Sequence, residues 1–242
     1  VFDTDPAQIL RFLPQVSSRL KLLRGFGLIN ESVESVVSRI LPSDSFDKTC
    51  KNVTFIQECG PENLEAKRTI FKRAEKISSE NTIFASSSSA LKPSEMAEGL
   101  MRPKQLLVVH PANPPYLLPI AEVVPGPDTC KNVISRTVSL LNDLKMFPII
   151  IQGEPEGFVF NRLQGAVLRE AYSLIRDGVI SPRDLDVLMT HGLGRRWSVI
   201  GPFATSALNV RGGITAHAAR MGASYLRMGQ ERGQNDPWDV DL

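Results

Sequence analysis

The sequence predicts an α/β fold followed by an all-helical region. Up to residue 151, short segments rich in β-branched and aromatic residues alternate with amphipathic helical segments, which is typical of a sheet covered by helices. After Gly153 the strand patterns stop and only helical patterns follow. We therefore expect two domains, at 1–152 and 153–242.

The N-terminal residues predict the end of a strand and the start of a helix. Val1-Phe2-Asp3 is typical of the last residues of a buried strand that ends in an acid. Asp5 is a predicted N-cap, and Pro6 suits the first helical position because the amide that proline lacks would have no partner there. We expect Pro14 to break or kink this helix.

The rest of the chain predicts strands and helices in turn. β-branched and aromatic side chains indicate strands at 53–57, 82–85, 106–110, 120–124 and 148–151. Apolar residues at a helical period indicate helices at 61–77, 93–100, 128–144 and 158–175, one from residue 181, and one at 202–210. Segment 106–110 is apolar on both faces, so we expect a central strand covered on both sides.

Composition and charge argue against several kinds of partner. The net charge is only +2, and no basic run or aromatic–basic pattern occurs, so we expect no nucleic-acid partner. Cys50, Cys59 and Cys130 show neither zinc-ligand spacing nor a disulfide framework, which favours a reducing, cytoplasmic compartment. The apolar runs fall far short of the roughly 20 residues that span a bilayer, so no membrane association is expected.

His110 and Glu122 form the most informative pair of polar residues. His110 ends an apolar strand, and Glu122 lies in the next extended segment. If the chain doubles back near Tyr116, the two residues are equidistant from the turn and face one another. Pro119 has no amide donor, so the returning strand is expected to be an edge strand or to begin irregularly. A carboxylate beside histidine suits a general base, whereas the alternative is a structural histidine with an unrelated surface glutamate.

Four other polar residues are weaker candidates on their own. Ser89 follows a predicted strand, where α/β sheets place ligand-binding groups, although a solvated loop is the alternative. The amide of Asn161 is able to bond a substrate oxygen and an imidazole, or alternatively the local backbone near a helix start. Glu62 and Lys67 are five residues apart, which excludes an ordinary i,i+4 pair and favours two exposed helix charges.

Asp3 ends a predicted strand, where a ribose-binding acid is usually found. Such an acid requires a preceding glycine-rich turn, and no G-x-G-x-x-G lies between a strand and a helix in this sequence. Gly192-Leu193-Gly194 and Gly212-Gly213 fall in the helical part, and we interpret both as helix-ending turns.

Several motifs together resemble those of the 3-hydroxyacyl-CoA dehydrogenase superfamily. They are Phe84-Ala85-Ser86-Ser87-Ser88-Ser89, Val109-His110-Pro111-Ala112-Asn113-Pro114-Pro115-Tyr116, Glu122-Val123-Val124-Pro125, Gly157-Phe158-Val159-Phe160-Asn161-Arg162-Leu163 and Gly201-Pro202-Phe203. Their order and spacing agree over nearly the whole chain. The resemblance implies a Rossmann-type NAD-binding domain followed by a helical domain for substrate binding and dimerisation.

The resemblance also implies roles for individual residues. The catalytic base falls on His110 with Glu122 as its carboxylate partner, while Ser89 and Asn161 bond the reacting oxygen of the substrate. The residues that it implies on the NAD side are Asp3, Glu62, Lys67, Ser89 and Asn113. An acid at Asp3 favours NAD over NADP, because a carboxylate repels a 2′-phosphate.

Two motifs resemble the lambda-crystallin or L-gulonate 3-dehydrogenase branch more than the acyl-CoA branch. His110-Pro111-Ala112-Asn113-Pro114-Pro115-Tyr116 is the first, and Gly192-Leu193-Gly194-Arg195-Arg196-Trp197 is the second. Arg196 is a candidate bidentate partner for the carboxylate of a small hydroxy acid. The alternative is a surface arginine that caps nearby carbonyls.

The function implied is oxidation of the 3-hydroxyl group of an L-gulonate-like acid by a cytoplasmic homodimer. Three alternatives stay open: a 3-hydroxyacyl-CoA or carnitine substrate, a structural crystallin-like role, and a chain that binds no dinucleotide. By comparison with the family, the first strand and its glycine-rich turn are expected to be missing. The helical domain, which closes with the charged segment 234–242, is expected to be incomplete.

Overall fold

The computed structural model describes residues 1–232. The charged segment 234–242, on which the expectation of an incomplete helical domain depends, lies outside these residues. The chain divides into two compact units, one formed by Val1–Phe160 and one that starts at Asn161.

The first unit alternates helices and strands, as predicted. Its α-helices are α1 (Pro6–Gly25), α2 (Val33–Ser38), α3 (Phe46–Cys50), α4 (Leu64–Ile77), α5 (Pro93–Ala97) and α6 (Lys131–Asp143). Its strands are β1 (Phe55–Glu58), β2 (Ile83–Ser86), β3 (Leu106–Pro111), β4 (Ile120–Pro125) and β5 (Phe147–Ile150). The strands predicted after residue 50 are confirmed, with small shifts at their ends. Side chains of Asp5, Ser45 and Asn63 cap α1, α3 and α4 by accepting backbone N–H groups.

The strands of residues 1–232 form a five-stranded sheet in the order β1-β2-β3-β4-β5. β1, β2 and β3 are parallel, β4 is antiparallel to β3, and β5 is parallel to β4. Parallel neighbours need a crossover, which α4 provides between β1 and β2 and α5 provides between β2 and β3. β4 lies between β3 and β5, so it is not the edge strand that Pro119 allowed. The Ile120 N–H donates to the carbonyl of Leu118, only two residues earlier, at 2.7 Å, which is the irregular start that was the other predicted outcome.

Both faces of the sheet are covered by helices. On one face Val108 of β3 belongs to an apolar cluster with Phe71 of α4 and Met96 of α5. On the other face Val109 belongs to a cluster with Leu141 of α6. β3 is therefore the central, doubly covered strand that its apolar sequence predicts.

The N-terminal residues differ from the predicted strand, and α1 continues through Pro14, where a break or a kink was predicted. Val1–Asp3 is not a strand: the terminal amine donates to the carbonyl of Leu41 at 2.8 Å, and the Ser43 N–H donates to the carbonyl of Val1 at 2.8 Å. One such pair of bonds is too few for a ladder. Pro14 does not break α1, because proline removes a single helical hydrogen bond and the 20-residue helix keeps the others.

From Asn161 to Arg232 the described chain is helical. Its helices are α7 (Phe160–Arg176, which starts at the last residue of the first unit), α8 (Pro182–Leu188), α9 (Gly194–Trp197), α10 (Pro202–Leu208) and α11 (Gly213–Arg232). Ser181 caps α8 by accepting the Asp184 N–H, so the predicted helix start is confirmed. Across the described residues, no helix combines the length and the apolar character that a membrane crossing requires.

A π-helical turn, Met189–Leu193, joins α8 to α9. The prediction of a helix-ending turn at Gly192-Leu193-Gly194 is wrong, because the backbone stays helical through Gly194. The Gly194 N–H donates to the carbonyl of Met189, five residues earlier, and a β-carbon at position 194 would lie 2.8 Å from that oxygen. The π turn therefore requires glycine at position 194. Gly212 and Gly213 both have left-handed backbone angles; Gly212 lies in the turn between α10 and α11, and Gly213 begins α11.

Candidate active site

The carboxyl ends of β1, β2 and β3 meet at one edge of the sheet. Glu58 at the end of β1 pairs with Ser86 at the end of β2, and Ser86 is in register with Val108 of β3. Because the three strands are parallel, the residues that follow them emerge at the same edge. Ser89 and His110 both lie there.

His110 and Glu122 form a hydrogen-bonded pair at this edge. They are partners in the register of β3 and β4, which confirms the prediction that they face one another. Nδ1 of His110 lies 2.9 Å from Oε2 of Glu122, and the two side chains are only 12% and 7% exposed. Since an ionised carboxylate accepts only, Nδ1 carries the proton and Nε2 keeps a lone pair. Such an imidazole is able to accept a proton from a hydroxyl group.

The second oxygen of Glu122 binds the start of α7. Oε1 accepts the backbone N–H groups of Val159 at 2.8 Å and Phe160 at 2.9 Å. The first amides of a helix have no partner within it, and a negative charge is favoured at that end. Three hydrogen bonds therefore fix the carboxylate that holds His110. The sequence alone did not predict the bonds to α7.

Phe158 packs against the imidazole of His110. The two ring centroids are 5.9 Å apart, and Phe158 is fully buried. Its φ of 50° lies in the left-handed region, directly after Gly157 at 71°. A non-glycine residue in such a conformation costs of order 1–3 kcal/mol, so the surrounding packing must enforce it. In the sequence, the Gly157-Phe158 motif contributed to the family resemblance, but it did not predict that Phe158 contacts His110.

Glu62 organises the segment that follows β2. Its Oε1 accepts hydrogen bonds from the Ser88 hydroxyl, the Ser89 N–H at 3.1 Å and the Ala90 N–H at 3.3 Å. Burial acts to raise the pKa of Glu62, but the hydrogen bond from Ser88 and the positive charge of Lys67 outweigh it, so the pKa lies below its ordinary value. The side chain is 43% exposed, so an ionised carboxylate stays accessible to a ligand.

The interpretation of Lys67 as an exposed helix charge is wrong. Its side chain is 1% exposed, and Nζ lies 2.9 Å from Oε2 of Glu58 and 3.5 Å from Oε2 of Glu62. The contact with Glu62 exists because Glu62 precedes α4 instead of lying on it, so helical spacing does not apply. Glu58 was not among the predicted residues. The only sequence feature that could have identified Glu58 is its position, a carboxylate at the end of a predicted strand.

The other predicted site residues occupy three places. Asp3 is exposed, and its Oδ1 accepts the Asp5 N–H at 2.9 Å. Asn113 is exposed in the turn between β3 and β4. Asn161 in α7 and Arg196 in α9 belong to the second unit, the first half-buried and the second exposed. The roles that the resemblance implies for these four residues stay predictions.

The residues at the sheet edge fit functional groups that NAD carries. An ionised, accessible carboxylate at Glu62 and an exposed amide at Asn113 are the kinds of group that bond ribose hydroxyls and a carboxamide. They lie next to strand ends, where α/β sheets bind ligands. The helix N-terminus that binds pyrophosphate needs a glycine-rich turn, which the sequence lacks. The residues at this edge therefore fit ribose hydroxyl and carboxamide groups, both of which NAD carries.

Two family descriptions match the chain, one for each part. Residues 1–154 match "3-hydroxyacyl-CoA dehydrogenase, NAD binding domain", and residues 157–240 match "3-hydroxyacyl-CoA dehydrogenase, C-terminal domain". Together they agree with the predicted Rossmann-type fold, the helical region after it and the NAD cofactor.

Individual relatives give the same result. The lambda-crystallin homologue of Bos taurus is 38% identical over 230 residues, which are 94% of this chain and 71% of that protein. The L-carnitine dehydrogenase of Oceanobacillus iheyensis is 41% identical over 162 residues, which are 67% of this chain and 53% of that protein. The crystal structure of 5-formyl-3-hydroxy-2-methylpyridine 4-carboxylic acid 5-dehydrogenase, an NAD⁺-dependent dismutase, aligns with a TM-score of 0.85 at 25% identity and covers 99% of this chain and 74% of its own.

Proposed function

The chain belongs to the 3-hydroxyacyl-CoA dehydrogenase family of NAD-dependent oxidoreductases, and on that basis we propose that it oxidises the 3-hydroxyl group of a small hydroxy acid to the 3-keto acid. The proposed substrate resembles L-gulonate. The observation that carries the proposal is the His110–Glu122 pair, a nearly buried imidazole whose Nδ1 is committed to a carboxylate at 2.9 Å.

In the proposed reaction, Nε2 of His110 accepts the proton of the substrate hydroxyl group. Oε2 of Glu122 then stabilises the imidazolium as an ion pair between two side chains that are only 12% and 7% exposed. NAD, when bound, supplies the acceptor for the hydride that leaves the carbinol carbon. As the family resemblance implies, Ser89 and Asn161 are each proposed to bond the reacting oxygen of the substrate, Ser89 through its hydroxyl and Asn161 through its amide group.

On the cofactor side, we propose direct contacts for Glu62, Ser89 and Asn113, and a ribose contact for Asp3. The accessible carboxylate of Glu62 supports this role, since its Oε1 also receives the Ser89 amide. Lys67 is different: with its side chain 1% exposed, its influence on the cofactor is proposed to pass through neighbouring groups.

The acid group of the substrate is proposed to bind Arg196. This arginine is exposed on α9, directly after the π turn that Gly194 permits. A guanidinium group binds a carboxylate with two parallel hydrogen bonds, so it distinguishes a free acid from a thioester. The lambda-crystallin homologue at 38% identity over 94% of the chain supports a substrate of that branch.

Carnitine is a second candidate substrate, because the L-carnitine dehydrogenase of Oceanobacillus iheyensis is 41% identical over 67% of the chain. Carnitine carries a carboxylate and a 3-hydroxyl group as well. The direct test compares L-gulonate, L-carnitine and 3-hydroxybutyryl-CoA at one NAD concentration by the formation of NADH. The highest kcat/KM is expected with L-gulonate, and a higher value with either of the others would overturn the substrate assignment.

A structural, crystallin-like role is a third candidate, favoured by the same lambda-crystallin relative. It predicts a stable protein that forms no NADH with any of the three substrates. A homodimer and a cytoplasmic location stay predictions from the sequence, and light scattering after size-exclusion chromatography tests the first.

A further inference from the structure

A buried ion pair lies directly beneath the proposed cofactor side. The side chains of Lys67 and Glu58 are 1% and 2% exposed, and Nζ lies 2.9 and 3.0 Å from the two carboxylate oxygens. Removing both charges from water is costly, and an apolar pair of similar volume is often at least as stable. The pair therefore calls for an explanation other than stability.

Every polar group of this pair has partners. Besides Glu58, Nζ of Lys67 lies 3.3 Å from the carbonyl of Gly60 and 3.5 Å from Oε2 of Glu62. Glu58 also accepts the Ser86 hydroxyl at 2.7 Å and the Gly60 N–H at 2.6 Å. The ammonium group of Lys67 has three protons, and the acceptors around Nζ already use all of them. Lys67 therefore has no proton left for a cofactor.

The pair connects the ends of β1 and β2 to the accessible part of the site. Ser86 links it to β2, and the Ser86 hydroxyl also accepts the Ser88 N–H at 3.1 Å. Lys67 links it to Glu62, whose other oxygen accepts the amides of Ser89 and Ala90. A displacement of Lys67 thus changes the position of Glu62 and of the segment after β2.

We propose that Glu58 and Lys67 are positioning residues, which fix the Glu62 carboxylate and the Ser88–Ala90 segment for the cofactor without contacting it. The cofactor part of this inference rests on the proposed function, whereas the positioning of Ser89 and Ala90 does not.

The positioning is tested without any ligand, by amide hydrogen exchange in the full chain. The double variant Glu58→Gln/Lys67→Met removes both charges, so no unpaired charge stays buried. Exchange at Ser89 and Ala90 should become about tenfold faster or more, because their acceptor is no longer held, while exchange at Val108 in β3 stays unchanged. Unchanged exchange at Ser89 and Ala90 would overturn the proposal.

Two further variants complete this experiment. Glu65→Gln is the matched control, since Glu65 lies on the same helix with a side chain that is 77% exposed and pairs with Arg68; it should leave all these rates unchanged. If the double variant also exchanges faster at Val108, it has lost its fold, and Glu58→Asp replaces it. This variant keeps the charge but shortens the side chain, and it should raise exchange only at Ser89 and Ala90.

Binding of NAD then separates positioning from direct contact. Dissociation constants are measured by calorimetry for the parent chain, Glu62→Gln, the double variant and the triple combination. If the pair acts through Glu62, the double variant should weaken binding about tenfold in the parent but hardly at all in the Glu62→Gln background. If the fold-changes of Glu62→Gln and of the double variant multiply in the triple combination, the pair acts on NAD independently of Glu62, as a direct contact would. That result would overturn the positioning role. If the wild type binds NAD too weakly to measure, the part of the proposal that concerns the cofactor is contradicted. The positioning of Ser89 and Ala90 is still tested by the amide exchange.

Discussion

Oε2 of Glu122 lies 2.9 Å from Nδ1 of His110, while Oε1 of the same carboxylate accepts the N–H groups of Val159 and Phe160 at the start of α7. One side chain therefore sets both the orientation of the imidazole and the start of a helix. Because the carboxylate is held by three hydrogen bonds, the imidazole is oriented before any substrate binds.

Replacement of His110 by alanine should remove the proton acceptor. We expect His110→Ala to lower kcat by on the order of 10²–10⁴-fold with little change in NAD affinity, since the cofactor does not depend on Nε2. His191→Ala is the control, because His191 is an exposed histidine in the π turn. Turnover and NAD titration measure the two effects, and full turnover in His110→Ala would refute the base assignment.

Glu122→Gln should impair both activity and stability. A carboxamide has only one acceptor oxygen, so it cannot accept from both His110 and the start of α7. Its NH₂ group must either face one of these donors or force the imidazole into the other tautomer. We expect kcat to fall by about 10²-fold or more and the free energy of unfolding to fall by about 1–3 kcal/mol. Urea unfolding and turnover are measured beside Glu80→Gln, an exposed control. If both variants match the wild type, the carboxylate does not have the role assigned here.

Arg196→Ala should raise the KM for the acid substrate, because the loss of a bidentate ion pair weakens binding of its carboxylate. An increase of about tenfold or more is expected, with an unchanged KM for NAD. Arg195→Ala is the matched control on the same short helix. An unchanged KM for the acid in Arg196→Ala would contradict the assignment.

Glu62 should contribute to acid sensitivity. Its pKa is lowered in the folded chain, so the unfolded state binds more protons in this range and stability rises with pH. The contribution is complete above the unfolded value of about 4.3 and is lost as the pH falls through the lower, folded value. Melting temperatures between pH 7 and 3 should therefore fall less steeply for Glu62→Gln than for the wild type. The exposed control Glu80→Gln should follow the wild-type curve, and equal slopes for all three proteins would contradict the prediction.

Gly194→Ala should destabilise the second unit. The added β-carbon would lie 2.8 Å from the Met189 carbonyl oxygen, so the π turn must distort, at a cost of about 1–3 kcal/mol. Gly192→Ala is the matched control, since its β-carbon would meet nothing within 4 Å. The control should be neutral or slightly stabilising because alanine favours helices. Thermal unfolding followed by circular dichroism compares them, and equal melting temperatures would show that the π turn tolerates a side chain.

The sequence was most informative where the pattern is local. Three such patterns appear in the structure: the apolar run of β3, the cap at Asp5 and the helix start at Ser181. The pairing of His110 with Glu122, predicted from their equal distances to the turn, appears as well. The motifs also identified the family. Prediction failed where a local pattern lacked its partner: Val1–Asp3 has strand-forming residues, but only one pair of backbone bonds.

The sequence by itself therefore determined the α/β order of elements, the family and the pairing of His110 with Glu122. Only the tertiary structure decided that Glu122 also holds α7, that Phe158 packs on His110, and that Lys67 is buried against Glu58. Two of these contacts join residues that are far apart in sequence, 38 positions for Glu122 and Phe160 and more for His110 and Phe158. Periodicity reports the direction of a side chain within its own element, whereas its partner depends on how the sheet brings different elements to one edge.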